Sequence, residues 1–488
     1  MFFEEGGCSH IQRGFADIAV TIFHKEDTIM RNTRWMKMIA LTMAFVVLFT
    51  ATAFPVDRYV QAQYEDTGIV FVEDLLDDPT FSGYFDSQLI AQFGTEFLAN
   101  RDVANLIAGY IYDAIPVNRS GENMYPDSFG GMYIDYYGNL VVLTVDGCQF
   151  SRNSEQVLDG FNVDTAIVDT GSVSVRAVDF SHSELLSVYY AIADFMAKSW
   201  GNDHCVVGNN ITSVGIDTSG NRVEVSLLDI SQWQLDLFRT EVVDHPALAF
   251  IQVVAGEIWG GLSREEQPLD PYIDSNVVGV QPFSNAQGHP GSTLRTGAAP
   301  AGRFVGSLGF RVRRGSQNGF ITHAHGTTIG MGIYVGARRI GTVSQRHFQS
   351  DSSFVSLSYG STVSDRNPSA AHIVATPRTP SNILQGDVVT RISTGARDAN
   401  AHMQHHPIVS SGRVQRTEYT ITLPGVGTVH VLRANYVSYG GDSGGIVVTG
   451  SGGNQLIAGI TVAVHAATNE SVFVLASRIL VAHNVTLH

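Results

Sequence analysis

The chain has 488 residues, of which 44% are hydrophobic and 16% charged, and this balance excludes a disordered protein. The length is enough for about three domains of ordinary size. The charge is divided along the chain. Residues 63–274, here the acidic half, hold 33 acidic and 8 basic side chains, a formal charge of −25, whereas residues 275–488, the basic half, hold 16 arginines, no lysine and 7 acids, a charge of +9.

Opposite charges on adjacent segments predict that the two halves meet as complementary surfaces. The arginines of the basic half are dispersed and form no patch interleaved with aromatic residues, so no nucleic-acid partner is predicted. The three cysteines are Cys8, Cys148 and Cys205, and the basic half therefore folds without disulfides. A bond between Cys148 and Cys205 stays open, because sequence alone does not give its geometry.

The N-terminal region has the layout of a secretory signal. Arg31, Arg34 and Lys37 precede the uncharged run Met38–Phe54, and a small-x-small cleavage pattern follows at 60–62. We predict a signal peptide over residues 30–62 and secretion of the chain, with residues 1–29 untranslated or disordered. The run is short for a membrane span. The alternative is an uncleaved anchor, and in that case alone we expect the chain to contact a membrane.

The acidic half contains a weak repeat. Residues 133–142 and 215–225 share Asp, Gly and Asn at the same offsets, and each copy is typical of a strand, a turn and a strand. A helical stretch follows each copy, near 155–161 and 232–242. Between the copies, Ser181 opens a capping box ahead of apolar residues at helical spacing. These patterns predict two small α+β subdomains.

A linker separates the two halves. Residues 262–274 are polar and bounded by prolines, which indicates an exposed segment open to proteolysis. The acidic region proper then spans residues 63–261, and a separate domain begins at Ser275.

The basic half is all β by pattern. Leu308, Phe310 and Val312 alternate with polar residues and glycine, the two-residue period of a half-buried strand. Residues 315–319 predict a turn, and residues 431–439 predict a strand. Many short strands with glycine-rich turns favour a sandwich or closed barrels.

The run Gly441-Asp442-Ser443-Gly444-Gly445 lies between two strand-like segments. A serine between glycines on a tight turn can present its hydroxyl outward, while backbone N–H groups converge on one oxygen, as acyl transfer requires. Taken alone, the run is also compatible with an ordinary hairpin turn.

A serine hydroxyl needs a base that takes its proton and a carboxylate that orients the base. The base candidates are His323 and His325, at the end of a predicted strand, and the carboxylate candidate is Asp351, which precedes an apolar strand. Asp365, Asp387 and Asp398 lie in turn-like contexts. The order along the chain is then His, Asp, Ser.

These motifs resemble the bacterial chymotrypsin-like serine proteases of the alpha-lytic protease and streptogrisin type. The resemblance lies in Ser307–Phe310, in Gly319–Thr327, in Asp351 with the strand after it, and in the complete GDSGG motif at Gly441–Gly445. It covers residues 275–488 and implies two antiparallel β-barrels.

Carried over by position, the resemblance implies that Ser443 is the nucleophile, His325 the general base and Asp351 its orienting partner. It also implies an oxyanion hole of the Gly441 and Ser443 N–H groups. The family spacing favours His325 over His323. No cofactor and no metal are predicted.

The chain departs from the family at Gly326, where the family often has cysteine. The residues that would wall the specificity pocket are Val437, Ser438, Val462 and Val464. Val464 would narrow the pocket, so we expect a small or medium apolar residue before the scissile bond. An acidic residue bound by Ser438 and His465 is the alternative.

The two repeats of the acidic half resemble the pro-regions of the same family. This implies a precursor whose pro-region assists folding and covers the site until the chain cuts itself, which we expect near Ile273–Ser275. The predicted function is a secreted serine endopeptidase acting on proteins or peptides. The alternatives are a non-catalytic binding or adhesion protein on the same fold, and a membrane-anchored protease with a permanent accessory domain.

Overall fold

A computed structural model describes most of the chain from Leu89 onward. The described residues are 89–119, 123–145, 154–161, 163, 173–254, 259–261, 287–297, 304–364, 379–380, 382–393, 409–450, 455–465 and 470–488. The predicted signal peptide at 30–62, residues 1–29, the linker at 262–274 and Cys148 lie outside these ranges. Within the described ranges, no helix is long and apolar enough to span a membrane.

The acidic half folds into two units that repeat the same order of strands and helix. Its helices are α1 Thr95–Ala114, α2 Ser154–Gly160, α3 His182–Ser199, α4 Val206–Asn210 and α5 Gln232–Glu241. Its strands are β1 Phe129–Ile134, β2 Leu140–Val145, β3 Val173–Val178, β4 Ile211–Asp217, β5 Arg222–Leu227, β6 Leu248–Gln252 and β7 Trp259–Gly261.

Both predicted strand–turn–strand copies are confirmed as antiparallel hairpins, β1–β2 and β4–β5. The repeat extends further than the sequence indicated. After each hairpin a helix, α2 or α5, leads to a strand, β3 or β6, that pairs in parallel with the second strand of the hairpin. Two consecutive strands that pair in parallel must be joined by a crossover connection, and each of these helices lies in such a connection.

Helix α3 begins as the sequence predicted. The Ser181 hydroxyl accepts a hydrogen bond from the backbone N–H of Glu184 at 3.2 Å. The Glu184 carboxylate lies 3.0 Å from His245 Nε2. Buried Leu185, Tyr189 and other apolar residues of α3 then pack on the sheet of the second unit.

The basic half is mostly β, as predicted. Its strands are β8 Gln287–Gly288, β9 Thr293–Arg295, β10 Phe304–Ser307, β11 Arg311–Arg314, β12 Gln317–His323, β13 Gly332–Val335, β14 Arg338–His347, β15 Ser352–Leu357, β16 Thr362–Val363, β17 Val388–Ile392, β18 Val409–Leu423, β19 Gly427–Ala434, β20 Ile446–Thr449, β21 Leu456–His465, β22 Ser471–Leu475 and β23 Thr486–Leu487. A 3₁₀ helix, Phe348–Ser350, and an α-helix, α6 Ala476–His483, complete it.

Two sheets carry the site. The first has the order β10-β9-β13-β14-β15-β12-β11-β23. In the second, β17, β20, β21, β22, β19 and β18 follow one another, and β17 also pairs with β18, so these six strands pair in a ring. The first sheet does not close among the described residues, and the arrangement of two barrels therefore stays a prediction.

Side chains of both sheets share one core. Phe310 and Val312 of the first sheet pack with Ile460, Val462 and other buried apolar residues of the second. This shared core holds the end of β12 and the turn before β20 in fixed positions, and both segments carry predicted site residues.

The structure corrects two local predictions and adds one helix. The turn after β11 is tighter than residues 315–319, because β12 already begins at Gln317. The strand predicted over residues 431–439 ends at Ala434. Helix α6 was not predicted at all. It is only eight residues long, too short for a clear helical period, and Asn484 ends it in the left-handed conformation.

The acidic and basic halves share a sheet. Strand β4 pairs antiparallel with β18, with Tyr419 opposite Gly215 and Ile421 opposite Ser213. The second unit of the acidic half thereby extends the sheet of the basic half by three strands, β4, β5 and β6.

The charged side chains of the two halves also meet. Arg416 Nη2 lies 2.6 Å from Glu224 Oε2, and Arg416 Nη1 lies 3.4 Å from Asp217 Oδ1. Burial raises the pKa of Asp217, but Arg416 and hydrogen bonds from Gln385 and Ser219 outweigh it and hold that pKa below its usual value. These ion pairs agree with the prediction that the oppositely charged halves meet as complementary surfaces.

Candidate active site

Three side chains meet where the two sheets of the basic half adjoin. His325 Nε2 lies 3.0 Å from Ser443 Oγ, and His325 Nδ1 lies 2.5 Å from Asp351 Oδ2. The His325 side chain is 6% exposed and Asp351 is fully buried. The imidazole therefore bridges a hydroxyl and a carboxylate, with one ring nitrogen directed at each.

Strand pairing brings His325 and Asp351 together. Strand β12 ends at His323, which pairs with Ser352 at the start of β15. Asp351 adopts the left-handed conformation, with φ 37°, directly after the 3₁₀ helix. Asp351 Oδ1 accepts the backbone N–H groups of Ala324 at 3.2 Å and His325 at 2.9 Å. These bonds fix the carboxylate while its other oxygen contacts the imidazole.

The turn before β20 presents Ser443. Gly441 has φ 109°, a conformation that side chains disfavour. The N–H groups of Asp442 and Gly444 donate to Tyr439 O and Thr461 O. Among the described residues, the N–H groups of Gly441 and Ser443 have no acceptor. The two predicted oxyanion donors thus have no partner within this part of the chain.

Two contacts that the sequence did not indicate hold this turn. Ser307 donates from its N–H to Ser443 O at 2.8 Å and from its hydroxyl to Gly441 O at 3.0 Å. On the other side, Arg391 Nη1 lies 2.5 Å from Asp442 Oδ2, and both side chains are buried. The one available signal was the placement of an arginine inside the apolar strand 388–392.

His323 lies outside the bridge between Ser443 and Asp351. Its ring is buried behind His325. Of the competing acids, Asp387 faces the acidic half, where Asn105 Nδ2 donates to it at 3.2 Å. Asp365 and Asp398 lie outside the described residues. Two of the candidate acids, Asp351 and Asp387, lie within the described residues. Of these two, Asp351 is the one that contacts a candidate histidine base.

Of the predicted pocket residues, Val462 contacts the serine through its backbone carbonyl, while its side chain lies in the shared core. Ser443 Oγ lies 3.4 Å from Val462 O on β21, and Val464 follows on the same strand. Ser438 is buried and its hydroxyl has no hydrogen-bond partner among the described residues. Val437 is half-buried beside it. No group of three or more His, Cys, Asp or Glu side chains that could hold a metal occurs in the described ranges.

Part of the acidic half lies along this strand. Strand β7 pairs antiparallel with the end of β21, with Gly261 opposite Ala463, Gly260 opposite Val464 and Trp259 opposite His465. The chain thus places its own extended segment beside the strand that approaches Ser443.

Comparisons with known proteins give one family match and several similar structures. Residues 183–253 match the model of the Pro-like C-terminal domain. A search of curated proteins finds no match. Protease A of Thermobifida fusca is 23% identical, with 41% of this chain and 98% of that chain covered and a TM-score of 0.32. The Nocardiopsis protease is 23% identical, with 42% and 100% covered and a TM-score of 0.32.

An alpha-lytic protease homologue, N4, is 18% identical, with 42% of this chain and 100% of that chain covered and a TM-score of 0.31. The resemblance to alpha-lytic-type proteases with a pro-region is confirmed as a similarity. The chain thus combines a segment similar to Pro-like C-terminal domains with a part, about 41% of its length, that is similar to a solved protease at 23% identity.

Proposed function

We propose that the protein is a secreted serine endopeptidase, made as a precursor whose acidic half covers the site until the chain is cut. The observation that carries the proposal is the pair of contacts of His325, to Ser443 Oγ at 3.0 Å and to Asp351 Oδ2 at 2.5 Å. In this reaction His325 takes the hydroxyl proton while Ser443 attacks a peptide carbonyl, and Asp351 stabilises the charged imidazole.

The oxyanion of the tetrahedral intermediate would accept hydrogen bonds from the N–H groups of Gly441 and Ser443. His325 then gives its proton to the leaving amine, and water hydrolyses the acyl-enzyme by the same route in reverse order. No cofactor enters any step.

A serine-directed phosphonate tests the proposal. Wild-type protein should be labelled at Ser443. Peptide mapping of the adduct identifies the labelled residue. Absence of labelling in protein that has been separated from its acidic half would instead favour the non-catalytic binding protein.

For specificity we propose a small or medium apolar residue before the scissile bond, because Val464, which follows Val462 on β21, would narrow the pocket. The unpartnered hydroxyl of Ser438 supports the acidic alternative. A peptide library cleaved by the processed protein separates the two.

The pairing of β7 with β21 predicts where the precursor is first cut. Gly261 pairs with Ala463, one residue beyond Val462, whose carbonyl lies 3.4 Å from Ser443 Oγ. The peptide bonds that follow Gly261 in the sequence are therefore the first to reach Ser443. We expect the first cut within the opening residues of the linker 262–274, ahead of the position near Ile273–Ser275. Intact mass and N-terminal sequencing of fresh precursor decide between these positions.

Acidification should loosen the contact between the halves. His430 Nδ1 lies 2.7 Å from Thr420 Oγ1 and 3.1 Å from the hydroxyl of Tyr189, on helix α3 of the acidic half. Burial, followed by the charge of Arg478, lowers the pKa of His430 from 6.5 to about 4, and Asp194 opposes this shift.

Separated halves would bind a proton at His430 more readily than the joined halves do. The association free energy should therefore weaken as the pH falls from about 6.5 and level off near 4. Size-exclusion chromatography of the cut precursor across this range measures the effect. His430→Gln should remove this part of the pH dependence, and an unchanged profile in that variant would contradict it.

A further inference from the structure

A second histidine lies behind the bridge formed by His325. His323 is the last residue of β12 and is 1% exposed. The centroids of its ring and the His325 ring are 4.3 Å apart, with the planes inclined by 42°. The proposed reaction gives His323 no proton to transfer, yet its ring packs against the ring of the base.

The His323 ring lies beside the backbone of the nucleophile. A Cβ built at Gly306 would lie 2.3 Å from His323 Cε1 and 2.6 Å from Ser443 O, so the ring and this carbonyl border the same small space. Thr322 Oγ1 lies 3.3 Å from His323 Nδ1, and its own proton goes to Ser307 O at 2.8 Å.

Two glycines make room for this ring. A Cβ at Gly306 would lie 2.3 Å from His323 Cε1, and a Cβ at Gly326 would lie 2.7 Å from His323 Nε2. Neither position can carry a side chain while His323 keeps its place. The absence of cysteine at position 326, which the sequence showed as a departure from the family, thus has a local steric cause.

Burial lowers the pKa of His323 well below its usual value, and the neighbouring charge of His325 lowers it further. Arg346 acts in the same direction. The ring is therefore neutral when His325 becomes charged during the reaction. A cationic side chain at this position would oppose that charge at close range.

We propose that His323 is a positioning residue, which packs against the His325 ring beside the Ser443 carbonyl so that the hydroxyl and the base keep their reactive geometry. This role rests on the proposed function, because it concerns the alignment of the same two residues. The ring stands between the segment that carries the base and the segment that carries the nucleophile, and it contacts both.

The full-length chain provides the test, because self-cleavage in the linker needs no added substrate. His323→Ala should slow the first-order cleavage rate by about 10²-fold, the loss expected when reacting groups shift by about 1 Å. His323→Gln retains an N–H donor and should recover part of the rate. On peptides, the processed His323→Ala protein should show a lower kcat with KM unchanged, because His323 is buried and would not touch the substrate.

Ile321→Ala is the matched control. Ile321 is fully buried on the same strand and lies in the shared core, so its loss leaves a cavity without removing any contact to Ser443 or His325. It should lower stability as much as His323→Ala does and leave the cleavage rate per folded molecule unchanged. Equal slowing in both variants would reduce His323 to a packing role and overturn the proposal.

A substitution at position 326 provides a second, independent test. Gly326→Ala should be harmful in the wild-type background and nearly neutral in His323→Ala, because the atom that clashes with the added Cβ is His323 Nε2 at 2.7 Å. Equal cleavage rates in wild type and His323→Ala would overturn the role of His323 alone. Wild-type protein that neither cuts itself nor reacts with the phosphonate would overturn the proposed function.

Discussion

Alanine in place of Ser443 should lower turnover by about 10⁶ and leave the precursor at full length. The hydroxyl is the atom that His325 Nε2 approaches at 3.0 Å, and no other described serine or threonine oxygen is paired with this nitrogen. Mass spectrometry of the purified chain over several days measures self-cleavage, and a fluorogenic peptide measures turnover.

A graded series of variants makes this expectation more specific. His325→Ala should cost about as much as Ser443→Ala, and the double variant should cost little more, because both residues act in one proton transfer. Asp351→Asn should cost about 10⁴, since the amide would favour the wrong imidazole tautomer. Additive losses would indicate that the three residues do not act as a unit.

Ser316→Ala is the control for handling and folding. Ser316 is exposed in the turn between β11 and β12, remote from the proposed machinery. Its self-cleavage should match that of the wild type. If Ser443→Ala protein were cut at the wild-type rate, the nucleophile would lie elsewhere or another protease would process the chain.

The sequence predicted the local features of this molecule well. The hairpins β1–β2 and β4–β5, the cap at Ser181 and the burial of Leu308, Phe310 and Val312 all depend on neighbours a few positions apart. The candidates His325, Asp351 and Ser443 came from short motifs of the same kind. Local patterns are visible in one sequence because they depend on turn chemistry and side-chain period.

Contacts between distant segments could not be predicted. The pairing of β4 with β18, the pairing of β7 with β21 and the buried contact of Arg391 with Asp442 join residues far apart in sequence. Strand register and side-chain partners depend on the whole assembly, and nothing near Arg391 in the sequence points to Asp442. The choice between His323 and His325 likewise rested on resemblance, because both residues lie in the same motif.

The buried pair of Arg391 and Asp442 leads to the second large prediction. Arg391 lies on β17, opposite Val447 of β20, and its side chain is fully buried. Asp442 separates the two proposed oxyanion donors, Gly441 and Ser443. Its carboxylate also accepts the Tyr439 N–H at 2.9 Å and a hydrogen bond from the Ser393 hydroxyl. Any displacement of Asp442 would therefore move both donors.

Arg391→Met should lower the free energy of unfolding by about 3–5 kcal/mol, because it leaves a buried carboxylate without its cation. It should also lower kcat by about 10²–10³, the loss expected when an oxyanion donor is misplaced. Urea denaturation in the Ser443→Ala background measures stability without interference from self-cleavage. Peptide turnover by processed Arg391→Met protein measures the effect on catalysis.

Two comparisons make the result interpretable. Arg239→Met removes an arginine from an exposed pair with Asp236 and should change the free energy of unfolding by no more than about 1 kcal/mol. Arg391→Met combined with Asp442→Asn removes both charges and should restore part of the lost stability but not the activity, because the amide cannot accept all the hydrogen bonds that hold the turn. If Arg391→Met unfolded at the wild-type urea midpoint, the pair would not hold this turn, and the oxyanion donors would have to be fixed by Ser307 and the other hydrogen bonds of the turn.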